Sequence, residues 1–212
     1  MSSFQHTQND EYLKICETRL RDIELTWVEQ VLVLIQLQNL PHNISINDMG
    51  CNMGHFYKGI KKRQLKYSYN GYDLDEIYLQ KARQCFPEIA NRFKCLDICN
   101  DKPDLADVSV ASAVLEHVPD FNSALNNILI TTKTLCILRT YSAILTINDK
   151  LLKSGAEYPY AINQNSFEKI FLIFQKNGFD ATIIRDVHTD SMPIHKGNGI
   201  VRTMYIFKGV RL

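Results

Sequence analysis

A loop of residues 48–54, Asp-Met-Gly-Cys-Asn-Met-Gly, has the residue types to bring the backbone close to a ligand. Gly50 and Gly54 have no Cβ, so the chain can turn sharply there and approach a bound group closely. Asn52, between them, tolerates a left-handed conformation better than most residues. The spacing differs from G-x-G-x-x-G, the dinucleotide fingerprint. Taken alone, the loop is equally compatible with an ordinary turn from a strand to a helix.

Acidic residues follow at the ends of the next two predicted strands. Asp73 lies about 20 residues past the glycine loop, where a carboxylate can accept hydrogen bonds from both ribose hydroxyls. Asp97 can accept from an adenine amino group, or it is a solvated turn residue. Asp75 is expected to cap the next helix. Because the sequence contains no P-loop lysine motif, the combination predicts a pocket for an adenosine that bears no phosphates.

A Glu-His pair, Glu116 and His117, stands at the end of the predicted fourth strand, where a substrate could meet a cofactor. His117 is the candidate general base, because the titration range of imidazole suits that role. Alternatively, His117 begins a helix and lines the cofactor pocket. Glu116 either accepts hydrogen bonds near the cofactor or caps the helix that follows.

Candidate substrate-binding residues come from the fifth strand and from two later loops. Arg139 and Tyr141 leave the fifth strand at the same edge of the sheet. Arg139 could hold a carboxylate or phosphate of the substrate, or it forms a structural ion pair. Four further residues lie in segments that could form a substrate lid or be ordinary loops: Tyr158, Tyr160, His188 and His195.

The elements that must position these residues alternate along the chain. Apolar runs predict five strands, at residues 44–48, 66–72, 93–96, 108–113 and 134–140. Amphipathic segments between them predict helices, and two more amphipathic patterns precede the first strand. Strands separated by helices imply a parallel sheet that is covered on both faces. The fold class is therefore α/β.

The last third of the chain predicts a departure from the parallel arrangement. Strand-like runs occur at Thr182–Val187 and Ile200–Phe207. The twelve residues between them include Pro193, Gly197 and Gly199, and they are too few and too broken for a helical crossover. We therefore expect an antiparallel hairpin, so that a mostly parallel sheet carries one antiparallel strand near its edge. A dehydrogenase-type sheet would normally stay parallel throughout.

The composition is that of a single globular domain. The chain has 212 residues, 45% hydrophobic and 22% charged. We expect residues 1–40 to form a tail and helices that pack on a domain of residues 41–212. The net charge of +1 argues against a dedicated nucleic-acid binder, because no basic excess is present to neutralise many phosphates.

The sequence also predicts the cellular setting. It has no apolar run long enough to span a bilayer, and residues 1–10 lack the apolar core of a signal peptide. Six cysteines are present; they contain no C-x-x-C pair, and Cys95 and Cys99 have no partner pair at a zinc-site spacing. We therefore expect reduced thiols in a cytoplasmic protein, with no metal site and no membrane association.

Together these motifs resemble those of the class I S-adenosylmethionine-dependent methyltransferases. Residues 48–54 are similar to the family's first motif, D/E-x-G-x-G-x-G, with Asn52 at its middle glycine. Residues 71–73 resemble the second motif, and Asp97 matches the acid beside adenine. Residues 107–126 look like the fourth-strand region of small-molecule and sugar methyltransferases. The family's frequent Pro-Gly-Gly turn before the fifth strand is replaced by residues 131–134.

The resemblance implies a three-layer Rossmann-like fold with a seven-stranded sheet and an antiparallel seventh strand. It also implies S-adenosylmethionine as the cofactor. The expected cofactor-binding residues are Asp48, Gly50, Cys51, Asn52, Gly54, Phe56, Asp73, Leu74, Asp97, Ile98, Ala113 and Glu116. The expected catalytic residue is His117, and the expected substrate-binding residues are Arg139, Tyr141, Tyr160 and His195.

Three functional hypotheses follow from the sequence. The favoured one is in-line methyl transfer to a small-molecule acceptor, such as a sugar or metabolite hydroxyl, by a monomer or homodimer. The second is an RNA methyltransferase of the small-RNA 3′-end type. That type carries a similar Glu-His pair with an upstream Glu and a later His that bind a metal, whereas the upstream position here is Ala113. The third is a non-catalytic subunit that binds S-adenosylmethionine and supports a partner.

Overall fold

A computed structural model describes residues 10–22, 24–151 and 160–212. Helices α1 to α6 span Asp10–Asp22, Thr26–Gln36, His55–Lys62, Glu76–Cys85, Phe121–Ile130 and Phe167–Lys176. A 3₁₀ helix covers Pro87–Arg92. Strands β1 to β6 span Ser45–Met49, Ser68–Asp73, Phe93–Cys95, Ala106–Ser112, Thr132–Ala143 and Lys150–Leu151. Strands β7 to β12 span Tyr160–Ala161, Asn165–Ser166, Phe179–Arg185, Ile194–Gly197, Ile200–Arg202 and Met204–Arg211.

The central sheet has the strand order β3-β2-β1-β4-β5-β12-β9. Strands β1 to β5 pair in parallel along this path. Strand β12 is antiparallel to both of its neighbours, β5 and β9. The short strand β8 pairs with the end of β5, off the main path. The mostly parallel seven-stranded path with one antiparallel strand next to the edge confirms the predicted sheet.

Helices cover both faces of this sheet, which gives the predicted three layers. Helices α2, α3 and α4 bury Leu32, Phe56 and Leu79 against one face. Helices α5 and α6 bury Leu125 and Phe174 against the other face. Since strands β1, β4 and β5 lie between the two helical layers, their side chains are almost all withdrawn from water, as expected for a parallel sheet.

Side-chain caps fix where three helices begin. The Asp75 carboxylate accepts a hydrogen bond from the Ile77 N–H at 2.9 Å and starts α4, as predicted. Asp120 and Ser166 cap α5 and α6 in the same way. Two of these caps therefore set the direction in which the chain leaves β2 and β4, the strands that end at the site described below.

The two N-terminal helices are held differently. Helix α2 is part of the core, where Val31 and Leu32 are fully buried. Helix α1 packs through Cys16 in a small cluster with Met53 and Tyr78, and the Cys16 carbonyl lies 3.1 Å from the His55 Nε2. The expected boundary between residues 40 and 41 stays a prediction, although α2 packs as closely as the later helices do.

The structure differs from the predicted elements mainly in the C-terminal third. The run predicted as one strand over Ile200–Phe207 is divided between β11 and β12, because β11 folds back on β10 as a separate hairpin. Residues Gly197, Asn198 and Gly199 make that turn, all with positive φ. None of the helices in the described ranges has both the length and the apolar character that crossing a bilayer would require.

Candidate functional site

A cleft opens at the carboxyl ends of β1, β2, β3 and β4, which is where open α/β sheets bind ligands. Tyr12 of α1 and Tyr78 of α4 also line it. The cleft brings together eight of the predicted site residues: Gly50, Asn52, Asp73, Leu74, Asp97, Ile98, Ala113 and His117. Tyr12 and Tyr78 were not predicted, because each is an ordinary apolar position of an amphipathic helix in the sequence.

The glycine turn after β1 forms one wall of the cleft. Gly50 has a φ of +67°, and Asn52, which stands at the family's middle glycine, has a φ of 50°. A Cβ on residue 50 would lie 2.1 Å from the Val114 Cγ2, so only glycine fits between the two loops. The replaced glycine is tolerated because asparagine adopts the left-handed conformation at low cost.

Asp73 ties this turn to the end of β2. Its Oδ2 accepts a hydrogen bond from the Asn52 N–H at 2.8 Å, and its Oδ1 accepts one from the Asp75 N–H at 3.0 Å. Burial raises the pKa of Asp73 to about 6, so the carboxyl is mostly ionised at neutral pH. The carboxylate lies on the cleft wall, where it could also accept hydrogen bonds from a ligand's hydroxyl groups.

Asp97 and Ile98 form the far end of the cleft. The Asp97 carboxylate accepts hydrogen bonds from the Cys99 N–H at 3.0 Å and the Asn100 side-chain amide at 2.8 Å. Ile98 is buried beside it and presents an apolar surface. An apolar wall next to a carboxylate suits a flat ring that carries an amino group.

The two residues of the Glu-His pair, after β4, have different surroundings. His117 lines the cleft, and its Nδ1 lies 2.6 Å from the Ala161 carbonyl oxygen. Since a carbonyl only accepts, Nδ1 carries the hydrogen. Glu116 instead points into the protein, where it is fully buried and its Oε2 accepts from the Thr140 hydroxyl at 3.1 Å. Because Glu116 is buried and lines neither cavity, its predicted contact with the cofactor is not supported.

A second recess adjoins the cleft on the other side of the glycine turn. The two cavities share Tyr12, Gly50, Asn52 and Ala113. Asp48, Cys51 and Phe56, which were expected to touch the cofactor, line this recess and not the cleft. It is completed by residues from α1, α2, α3, β4, β5 and the loop after β9: Arg19, Trp27, His55, Ser112, Arg139 and His188. Gly54 lines neither cavity; the face where its Cβ would be lies against Phe86.

Asp48 is the acidic residue at the base of the second recess. It is buried, and its Oδ2 accepts a hydrogen bond from the Tyr69 hydroxyl at 2.7 Å. Burial raises the pKa of Asp48 to about 7. The unfolded chain releases this proton above about pH 4, whereas the folded chain keeps it up to about pH 7. The bound proton therefore stabilises the folded chain at low pH, and this stabilisation is lost as the pH rises through 7.

Replacing Asp48 with asparagine should therefore remove the pH-dependent contribution of this carboxyl group to the free energy of unfolding. Between pH 6 and pH 8, we expect the free energy of unfolding of the parent chain to fall relative to that of Asp48→Asn by about 1 kcal/mol. Urea unfolding at both pH values measures this difference. Asp180→Asn, at an exposed position of β9, is the matched control and should follow the parent. A difference in the free energy of unfolding between the parent and Asp48→Asn that was the same at both pH values would contradict the prediction.

Arg139 forms a buried ion pair with Asp186. Its Nε and Nη2 each donate to Asp186, at 2.9 Å, and its Nη1 lies 3.4 Å from the Ser112 hydroxyl. The guanidinium also stacks over the Trp27 ring at 6.0 Å. The expected role in holding a substrate anion is therefore not supported, because the positive charge is already neutralised by Asp186. The structure instead supports the alternative role of Arg139, a structural ion pair.

Of the other predicted substrate residues, His188 lines the second recess, whereas Tyr141 and His195 line neither cavity. Tyr141 is buried in a small cluster with Ile162 and Met204. His195 is exposed on the β10 strand. The side chain of Tyr160 and the whole of Tyr158 lie outside the described residues. Within the described ranges, the structure has no cluster of three or more His, Cys, Asp or Glu side chains that could hold a metal ion.

Comparison with known proteins decides the family. The sequence model of a family described as a methyltransferase domain matches residues 21–181. The chain belongs to this family. The match covers the glycine turn, all of β1 to β5 and helix α6, and so includes every element that lines the cleft except α1. No curated protein sequence matches the methyltransferase.

Solved structures share the fold of the methyltransferase at low sequence identity. Magnesium protoporphyrin IX methyltransferase from Synechocystis PCC 6803, with bound S-adenosylmethionine, is 17% identical with a TM-score of 0.61; the match covers 89% of this chain and 79% of that chain. An S-adenosylmethionine-dependent methyltransferase from Clostridium acetobutylicum is 12% identical with a TM-score of 0.66, over 95% and 98% of the two chains. These likenesses confirm the Rossmann-like methyltransferase fold.

A third solved structure is of a longer protein. Phosphoethanolamine N-methyltransferase 2 from Haemonchus contortus, in complex with phosphomonomethylethanolamine and S-adenosylhomocysteine, is 14% identical with a TM-score of 0.70. The match covers all of this chain and 60% of that one. The ligands bound to the Synechocystis and Haemonchus proteins agree with the cofactor that the sequence predicts for the methyltransferase.

Proposed function

We propose that the methyltransferase transfers a methyl group from S-adenosylmethionine to a hydroxyl of a small-molecule acceptor by in-line displacement. The observation that carries the proposal is the pair of adjoining cavities that meet over Gly50 and Ala113. One cavity has the residues for a nucleoside, and the other is open for a second reactant. Holding two reactants in line across such a junction can account for a large part of the acceleration.

The cleft fits the adenosine part of the cofactor. Asp73, Asp97 and Ile98 line the cleft. In this proposal, Asp73 accepts hydrogen bonds from the ribose hydroxyls, and Asp97 and Ile98 contact the adenine. The missing side chain at Gly50 lets the ligand pass close to the backbone. When bound, S-adenosylmethionine supplies an activated methyl group on its sulfonium. The residues of this chain then orient the two reactants and exclude water.

The surface charges favour a small acceptor over RNA. The basic cluster at residues 58–66 is largely paired with carboxylates: Lys61 with Glu88, Lys62 with Glu24 and Arg63 with Glu29. Paired cations offer little net charge for phosphate neutralisation. The absence of a three-residue metal cluster in the described ranges also gives no support to the small-RNA 3′-end type.

Within this proposal, His117 takes the proton from the acceptor hydroxyl. The Ala161 carbonyl holds the hydrogen on its Nδ1, so Nε2 is the basic nitrogen. The alternative is that His117 only lines the cofactor cleft. We further propose a monomer or homodimer in the cytoplasm, and the six free thiols support this location.

Two measurements test the proposal. Calorimetry should give micromolar-range binding of S-adenosylmethionine and of S-adenosylhomocysteine, roughly −8 kcal/mol. Acceptors are then screened with a methyl-labelled donor against hydroxylated metabolites, tRNA and small RNA. Labelling of a metabolite supports the proposal, whereas labelling of RNA alone would show that the acceptor is RNA and not a small molecule. Binding with no turnover on any acceptor would instead indicate the non-catalytic subunit.

A further inference from the structure

A segment of three residues, 161–163, holds the turn that carries His117. The His117 Nδ1 donates a hydrogen bond to the Ala161 carbonyl at 2.6 Å. The residues on either side of His117 are bonded to Asn163. The preceding carbonyl accepts from the Asn163 N–H at 2.9 Å, and the following carbonyl accepts from the Asn163 side-chain amide at 3.4 Å. The direction of the His117 ring therefore depends on where residues 161–163 lie.

Arg202 fixes the middle of this segment. It is the last residue of β11, and it is only 3% exposed. Its Nε donates to the Ile162 carbonyl at 3.0 Å, and its Nη2 forms an ion pair with Asp149. The backbone of Asp149 bonds to the same residue, since its carbonyl accepts from the Ile162 N–H at 2.9 Å. Both backbone groups of Ile162 are thus tied to one buried ion pair.

The chemistry of arginine suits this position. A guanidinium presents its donors in fixed directions within one plane, so Arg202 can hold a carbonyl and a carboxylate at the same time. The ammonium of a lysine has no such fixed geometry. The Ile162 side chain is also buried, in a small cluster with Ile200 and Met204 from the strands on either side of Arg202. Packing and hydrogen bonds therefore hold the segment in one place, as a group that orients a catalytic side chain requires.

We propose that Arg202 is a positioning residue for methyl transfer: it holds the Ala161 carbonyl against the His117 Nδ1, so that Nε2 is left to take the acceptor's proton. The inference rests on the proposed function, in which His117 is the base. In that step the acceptor oxygen bonds to the methyl carbon as the carbon–sulfur bond breaks, and the hydroxyl proton passes to Nε2. A neutral imidazole can carry its hydrogen on either nitrogen, and the hydrogen-bond partner decides which. A displaced carbonyl would therefore weaken the base without removing a residue that contacts either reactant.

The tautomer of His117 can be measured without knowing the acceptor. In protein labelled with ¹⁵N-histidine, ¹H–¹⁵N correlation spectra at pH 8.5, where an ordinary imidazole is neutral, distinguish the two tautomers. His117→Gln identifies the signal by its loss. We expect the Nδ1–H form in the parent, and in Arg202→Gln a ratio of Nδ1–H to Nε2–H that is lower by about fivefold or more. Arg202→Lys keeps the charge and should give an intermediate ratio; it carries the test alone if Arg202→Gln does not fold.

Arg211→Gln is the matched control. Arg211, at the end of β12, also donates to backbone carbonyls, those of Leu129 and Thr132, but these lie at the start of β5 and not at the His117 turn. The control therefore loses hydrogen bonds of the same kind and should keep the tautomer ratio of the parent. A parent-like ratio in the folded Arg202 variants would overturn the inference. An equal change in Arg211→Gln would also overturn it, because the effect would then be a general loss of stability.

Turnover gives the second measurement, with an acceptor found by the screen above. For Arg202→Gln we expect a kcat about tenfold or more below that of the parent. The affinity for S-adenosylhomocysteine should stay near that of the parent, because Asp73 and Asp97 are unchanged. A lost tautomer preference with an unchanged kcat would overturn the role of Arg202 in catalysis. A parent chain that methylated no acceptor would overturn the proposed function, and the tautomer ratios would still decide whether Arg202 positions His117.

Discussion

Replacing Asp73 with alanine is expected to lower the affinity of the methyltransferase for S-adenosylmethionine by about a hundredfold or more. Two effects combine in this variant. In the proposed mode of cofactor binding, the ribose hydroxyls lose their acceptor. The N–H groups of Asn52 and Asp75 lose the carboxylate that joins the glycine turn to β2. Since the first effect removes a ligand contact and the second loosens the wall beside it, the loss exceeds that of one hydrogen bond.

Calorimetry at pH 7.5, above the pKa of Asp73, measures this loss directly. Asp73→Asn separates the two effects, because the amide retains one acceptor oxygen but turns a donor toward an N–H group that also donates. Asp180→Ala, at an exposed position of β9, is the control and should bind as the parent does. Equal affinities in the parent and in Asp73→Ala would remove Asp73 from the cofactor site.

Asp186→Ala is expected to lower the free energy of unfolding by about 3–5 kcal/mol. Its side chain is fully buried and accepts two hydrogen bonds from Arg139. Burial opposes ionisation of Asp186, but the hydrogen bonds from Arg139 outweigh it and hold the pKa below its ordinary value. Without Asp186, the Arg139 guanidinium is left in the interior with no counter-charge, which is the costly case for a buried ion pair.

The chain contains its own control for this prediction. Arg185 and Asp190 form an Arg–Asp pair next to the buried one in sequence, but both side chains are more than half exposed. Asp190 has a φ of 57°, which asparagine also tolerates. Asp190→Asn should therefore change the free energy of unfolding by less than about 1 kcal/mol. Urea denaturation of the two variants and the parent gives both values. Similar values for Asp186→Ala and Asp190→Asn would show that burial does not set the contribution of the pair.

The site residues that could be predicted from the sequence are those whose position depends on local backbone conformation or on the end of one strand. Gly50 and Asn52 are tied to backbone conformations that few other residues adopt, and the structure has them there. Asp73 follows a recognisable strand, and parallel strands bring their carboxyl ends to one edge. These inferences need only the element and its direction, so the cleft residues could be placed without knowing how distant segments pack.

The misplaced residues depend on contacts between distant segments. Arg139 and Asp186 are 47 residues apart, and no local pattern relates them. Glu116 and His117 are adjacent, yet one is buried and the other lines the cleft; the direction of each is set by how the turn after β4 packs.

Strand β12 has a consequence for the order in which the molecule can be assembled on the ribosome. It lies between β5 and β9, and among the described residues β9 has no other neighbour in the sheet. Every parallel strand, and so the whole cofactor cleft, is synthesised before residues 204–211 emerge. During that interval β5 and β9 expose unsatisfied backbone groups, a hazard for association between nascent chains. A chain without β12 would thus leave one edge of β5 unpaired and β9 separate from the sheet, which is continuous in the folded protein.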